Sequence, residues 1–283
     1  MSKKYVKPVL GRDYAVKKNG TIVVSRDVSL QSALVPQSKD PIPNVLSAVD
    51  HSLRIGKKEA IERIADEEHK FRRLVFDHLV TSDYSLVVGL QGYDASGKSG
   101  AADLLWQGSG KNSKVFKIAS YGKPDPVELR FPHFKRFFDH ERFPGKGQVR
   151  VLDRFWCERM LVERVKKLAS PEDLQRSYAE ITAFEWLLHV NKVILVKFWM
   201  DISKAEQNRR FEDRARDARE KLSPDDKEAQ AKRHLYKRYA NEMFFRNSPS
   251  FAPWHIISSE NKKYSRVTIL ENVNDALRQT FGL

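Results

Sequence analysis

The stretch "LQGYDASGKSGAADLL", residues 90 to 105, places Gly92, Gly97, Lys98 and Ser99 as G-x-x-x-x-G-K-S. Such spacing does one kind of chemistry. The glycines allow a sharp turn and a close backbone approach, so that peptide N–H groups meet phosphate oxygens and Lys98 supplies a cation. Ser99 is placed to offer its hydroxyl to Mg²⁺. Asp94 stands inside the same loop. A carboxylate among phosphates is unfavourable unless a cation shares the space, and its plainer alternative is a local Asx turn. A second carboxylate, Asp153, closes the apolar run of "VRVLDRFW" as the magnesium-holding aspartate of a P-loop enzyme would, and Arg154 beside it can fork onto phosphate.

These groups need a scaffold, and the chain spells one out. "SLVVGL" (85–90) enters the loop and a helix-compatible stretch (99–106) leaves it, with its dipole toward the anion. Further short apolar runs, "KVFKIA" (114–119), "VRVL" (149–152), "KVILVKFW" (192–199) and "PWHIIS" (253–258), alternate with helical patterns. Lys57 to Leu79 carries apolar residues at helical spacing, Ser170-Pro171 and Ser223-Pro224 open helices, and Ser203 with Glu206 reads as a capping box. Strand alternating with helix predicts an α/β fold, a five-stranded parallel sheet with helices on both faces. Residues 1–56 read as an N-terminal arm with a strand-like alternation at Thr21 to Val24. Residues 57–283 form a single P-loop kinase domain, and the charged stretch at about 204–247 reads either as solvated surface helices or as a closing lid.

Composition narrows the partners. A net charge of +14 favours polyanions, and Lys111 to Arg159 alone holds twelve basic residues against six acidic ones. A nucleic-acid partner is disfavoured by the lack of any finger, helix-turn-helix or RNA-binding signature. One cysteine, Cys157, excludes a disulfide framework and a Cys-based zinc cluster, and the eight histidines show no paired ligand spacing. No apolar run approaches the roughly 18–20 residues a membrane span takes, and the charged N-terminus lacks a secretory apolar stretch, so a cytoplasmic protein without membrane contact is expected. The five tryptophans (Trp106, Trp156, Trp186, Trp199 and Trp254) read as core.

"GYDASGKSG", "VLDRFWCER" and "VKFWMDISKAEQNRRFEDR", with "GKPDP", Phe184-Glu185, "LSP" and "APWHIISSENKKYSR", together resemble the family-2 polyphosphate kinases over roughly residues 57 to 280. The resemblance implies reversible phosphoryl transfer between inorganic polyphosphate and a nucleoside mono- or diphosphate, adenine or guanine, with Mg²⁺ or Mn²⁺, in a homo-oligomer (dimer or tetramer). Carried onto this chain it implies a catalytic set of Asp94, Lys98, Asp153 and Arg154. Metal contacts fall to Asp94, Asp153 and Ser99, and phosphate or nucleotide contacts to Gly92, Ala95, Ser96, Gly97, Ser99, Gly100, Lys123, Arg159, Arg210 and Arg214. Departures are Ser99 and Phe155, where relatives carry Gly and Ser, and "RDAREKLSP", which lacks the usual lid lysine and tryptophan. The competing expectations are an ATP-dependent kinase of a nucleoside or small metabolite and a P-loop protein that binds polyanions without turnover.

Overall fold

The computed structural model describes residues 5–26, 41–138, 142–216 and 224–283. Two short strands of the arm, β1 (Tyr5–Val6) and β4 (Ile42–Pro43), pair with each other. Between them β2 (Ala15–Val16) and β3 (Ile22–Val24) form a hairpin. The main strands are β5 (Ser85–Gly92), β6 (Phe116–Ser120), β7 (Val149–Asp153), β8 (Val193–Asp201) and β9 (Trp254–Ser258). Their order is β2-β3-β9-β8-β5-β7-β6. The five main strands are parallel, as the alternating runs predicted, and the arm hairpin adds two antiparallel strands along β9.

The arm is therefore more than an irregular tether. Gly20 turns the hairpin at φ 76°, and a Cβ there would stand 2.6 Å from the hydroxyl of Tyr264, which donates to the Asn19 carbonyl. Asn272 donates to the hydroxyl of Thr21 at 2.9 Å, fixing the hairpin to the C-terminal helix.

Helices cover both faces. On one side lie α1 (Lys57–Arg73), α2 (Lys98–Gly108) and the C-terminal helix Lys262–Phe281, burying Phe71, Leu105, Ile269 and Leu270 against Leu86, Val88 and Val196. The expected single helix 57–79 ends its α geometry at Arg73. A wider turn over Leu74–Leu79, in which the Val80 N–H reaches the Val75 carbonyl, buries Leu74, Val75 and Leu79. On the other side are a 3₁₀ turn at Trp156–Met160, the short α3 (Val162–Val165), α4 (Pro171–Val190) and, after α5 (Lys204–Arg216) and α6 (Pro224–Ala231), α7 (Arg233–Arg246). The C-terminal helix is thus α8.

Ser170 caps α4 with a reciprocal box through Asp173. The box expected at Ser203 is only half made. Ser203 Oγ accepts from the Glu206 N–H, but the Ser203 N–H and hydroxyl both go to Glu260, because Glu206 is drawn to Arg209 and Arg210. Ser223 lies outside the described residues, and Pro224 begins α6 as expected. Trp156, Trp199 and Trp254 are buried, whereas Trp186 is 41% exposed. Cys157 is buried, its Sγ 3.7 Å from Asn247 Oδ1. Nor is the 204–247 stretch uniformly solvated: α7 buries Tyr236, Ala240, Met243 and Phe244, the last against Trp199 and Trp254.

Candidate active site

The chain leaves β5 for the outer strand β6, returns to β7 beside β5, and then crosses to β8 on β5's other side. The carboxyl end of β5 is the switch point of the sheet, where open α/β folds place their ligands. The loop between β5 and α2 sits there. Gly92 has φ 152°, and a Cβ would stand 2.5 Å from the Met200 carbonyl and 2.9 Å from Ser96 Oγ. Gly97, at φ 99°, starts α2 with no side-chain cap, so the first N–H groups of that helix face the cleft.

Lys98 folds back over its own loop. Its Nζ donates to the carbonyls of Gly92 (3.3 Å) and Tyr93 (3.2 Å) and the residue is only 8% exposed. Asp153 ends β7 in register with Leu90, and Ser99 Oγ donates to its Oδ2 at 3.1 Å. The other carboxylate oxygen, Oδ1, is buried with no hydrogen-bond partner among the described residues. Arg154 turns out of the strand at φ 65°, its N–H on the Leu90 carbonyl, and brings its guanidinium 3.2 Å from Asp94 Oδ1. The carboxylate inside the loop thus forms an ion pair with Arg154.

These residues line a cleft of about 730 Å³. It gathers Asp94, Ala95, Ser96, Gly97, Lys98, Ser99, Gly100, Asp153, Arg154, Arg210 and Arg214 from the predicted set. Gly92 is the turn beneath it. Lys123 is exposed one residue beyond Gly122, which lines the rim. Arg159 is not among the residues that line the cleft, and its Nε is 2.7 Å from Glu163 on the buried flank of α3. Arg210 lines the cleft but turns its donors to protein oxygens, namely Glu206 Oε1 (2.6 Å) and the carbonyls of Ala95 (2.8 Å), Ser259 (2.6 Å) and Glu260 (3.2 Å). Arg214 is 3.7 Å from Asp226 on α6.

Two further cations were not anticipated. Lys262 and Arg266, one turn apart at the start of α8, line the same cleft, and the Arg266 guanidinium lies against the first turn of α2, where a Cβ on Gly100 would stand 2.7 Å from its nitrogen. Neither side chain has a hydrogen-bond or carboxylate partner among the described residues. Burial, followed by the charges of Arg210 and Arg266, pulls the Lys262 ammonium below its ordinary value. A sequence signal existed: cations in the first turn of a helix oppose its dipole, and "NKKYSR" holds them there with no acid in that turn. On the other side of the Arg154 pair, Glu158 is buried and accepts from Gln91 at 2.7 Å, and burial raises its carboxyl above the usual range. Among the described residues no three His, Cys, Asp or Glu side chains gather as a metal cage.

Fold and loop define a P-loop kinase-like protein. The chain belongs to the polyphosphate kinase 2 (PPK2) family, whose model matches residues 54–281. The polyphosphate:AMP phosphotransferase of Pseudomonas syringae pv. tomato is 31% identical over 240 residues, covering 84% of this chain and 47% of that protein. The GDP-polyphosphate phosphotransferase of Mycobacterium tuberculosis is 31% identical over 190 residues, 66% of this chain and 63% of its own. Among solved structures, a polyphosphate kinase 2 homologue from Pseudomonas aeruginosa superposes with a TM-score of 0.80 at 30% identity over 84% of this chain and 51% of that one. Polyphosphate kinase 2 from Arthrobacter aurescens shares the fold, with a TM-score of 0.77 at 24% identity over 90% and 92%. The chain spans about half the length of the polyphosphate:AMP phosphotransferases it matches. Among the described residues no helix is long and apolar enough to cross a membrane.

Proposed function

We propose that this chain transfers a phosphoryl group between inorganic polyphosphate and a nucleoside mono- or diphosphate. The observation that carries the reading is that Lys262 and Arg266, neither with a partner among the described residues, line one cleft with an uncapped helix N-terminus. A single phosphate needs only the loop; a linear polyanion lying along the cleft uses the α8 cations as well, with Arg214 and, past the rim, Lys123 continuing its path. The named activities of the relatives support the same substrates.

In this reading the loop amides and Lys98 grip the oxygens of the phosphate being transferred. Arg154, held by Asp94, meets the incoming acceptor phosphate and neutralises its repulsion. Phosphoryl transfer asks little covalent work of a protein, so placement of charge dominates. A divalent ion, Mg²⁺ before Mn²⁺, fits at Ser99 and the unpartnered Asp153 Oδ1, with phosphate and water completing its shell. Bound there, it would neutralise phosphate charge and fix oxygen geometry. Asp94 is a poorer metal ligand here, because one oxygen is spent on Arg154.

The lid is read as the part of 204–247 between the first turns of α5 and α7. A dimer or tetramer and a cytoplasmic location complete the proposal by family analogy. The described arm folds on its own chain, so it no longer argues for a neighbour. The test is nucleotide chromatography after incubation with polyphosphate, Mg²⁺ and each of AMP, ADP, GMP and GDP, beside an arm with ATP as sole donor. New di- or triphosphate from the polyphosphate arm is expected. Its absence with all four acceptors overturns the reading, and transfer from ATP alone replaces it with an ATP-dependent kinase.

A further inference from the structure

Four consecutive carbonyls of the phosphate loop are each held by a side chain. Lys98 takes those of Gly92 and Tyr93, Gln207 Nε2 donates to that of Asp94 at 3.0 Å, and Arg210 Nη1 to that of Ala95 at 2.8 Å. Gln207 and Arg210 are one turn apart on α5 and both are buried. Gln207 is itself fixed, its Oε1 accepting from Arg233 at 2.6 Å, while Arg210 reaches past the loop to the Ser259 carbonyl at 2.6 Å. Ala95 sits at φ 66°, a conformation a residue with a Cβ adopts only when its surroundings impose it.

We propose that Gln207 and Arg210 are positioning residues that set the phosphate loop. By holding the carbonyl of Asp94 outward, Gln207 leaves the Ala95 N–H of the same peptide to the cleft, while Arg210 fixes the next peptide, whose Ser96 N–H closes a turn onto the Tyr93 carbonyl at 3.1 Å, and together they keep Asp94 beside Arg154. Arg210 then acts on the loop and not on phosphate, and the first turns of α5 belong to the rigid frame. The inference rests on this loop being the phosphate site of the proposed transfer.

The experiment measures tripolyphosphate binding to the full chain by calorimetry across a salt series, with phosphoryl transfer followed separately. A phosphate ligand, when removed, lowers the slope of log affinity against log salt by about one. A positioning residue leaves the slope unchanged while affinity falls, here by about three- to ten-fold for the neutral hydrogen bond of Gln207 and by more for those of Arg210. Gln207→Leu, Gln207→Glu and Arg210→Lys are all expected to show this pattern. The glutamate keeps the acceptor for Arg233 but loses the donor to Asp94, and lysine cannot span two carbonyls with one nitrogen. Binding like wild type in the Gln207 variants, or a reduced slope in Arg210→Met, overturns the proposal. If an Arg210 variant fails to fold, as read by circular dichroism, the two Gln207 variants decide. A wild type that binds tripolyphosphate but transfers nothing defeats the proposed function and leaves this inference to the binding data.

Discussion

Ser99 Oγ lies 3.1 Å from Asp153 Oδ2, tying the first turn of α2 to the end of β7. The serine thus lines the cleft with its hydroxyl on that carboxylate. Asp153→Asn is expected to cut phosphoryl transfer by about 10²–10³-fold, the scale of removing one preorganised charge-stabilising group. Ser99→Ala should lose less, since water can replace a hydroxyl. Steady-state rates alongside melting temperatures check both, and a full-rate Asp153→Asn would remove the carboxylate from the mechanism.

Lys262 and Arg266 have no ion-pair partner among the described residues, so neutralising them breaks none of the ion pairs found there. Lys262→Gln and Arg266→Gln should raise KM for polyphosphate and each reduce its salt dependence by about one logarithmic slope unit. Little change in thermal stability is expected, because first-turn cations oppose the helix dipole. Kinetics at several salt concentrations provide the measurement.

His51 Nε2 lies 2.8 Å from Asp201 Oδ2, and that hydrogen bond raises the imidazole above its ordinary 6.5, with Glu260 adding to it and Arg233 opposing. A raised value means the protonated pair stabilises the fold fully below pH 6.5 and loses that contribution as pH climbs through the folded-state value. His133 and His255, both held near 3 chiefly by burial, act in the opposite direction and are common to both proteins in the comparison. Denaturant unfolding of wild type and His51→Gln should therefore converge as pH rises from 6 to about 9. A constant difference across that range would assign the pair no titrating role.

Lys197 and Glu185 form an ion pair at 2.7 Å with both side chains 0% exposed, and Asn247 bonds to both partners. Lys197→Met leaves a buried carboxylate without its cation and should cost about 3–5 kcal/mol in urea unfolding. Adding Glu185→Gln, which still accepts from the Trp156 indole, should recover part of that loss.

The phosphate loop was legible because its chemistry is local: strand, glycines, lysine and helix lie within sixteen residues of sequence. The parallel strands were legible through their β-branched runs. Charge was not. The basic stretch 111–159 suggested the polyanion groove, yet Lys146 pairs with Asp83, Arg150 is buried against Gln148, Arg159 pairs with Glu163, and Arg154 alone among its twelve cations lines the cleft. The other cleft cations come from Lys98, from Arg210 and Arg214, and from Lys262 and Arg266, brought together because α2, α5 and α8 all start where strands end. Trp186 fails as core for a simpler reason. Its neighbour Glu185 is buried, and successive helical residues point about 100° apart.

The hairpin at Ala15–Val24 pairs with a strand more than 200 residues downstream. During synthesis its partner, β9, emerges after the other four main strands, so the hairpin must wait until all of them are out. Until it docks, β9 is an open sheet edge, a template for pairing with another chain. Closing the sheet with a segment made well before the strand it covers makes edge protection a late folding event, and loosening Gly20 or Asn19 is a route to aggregation before it is a route to inactivity.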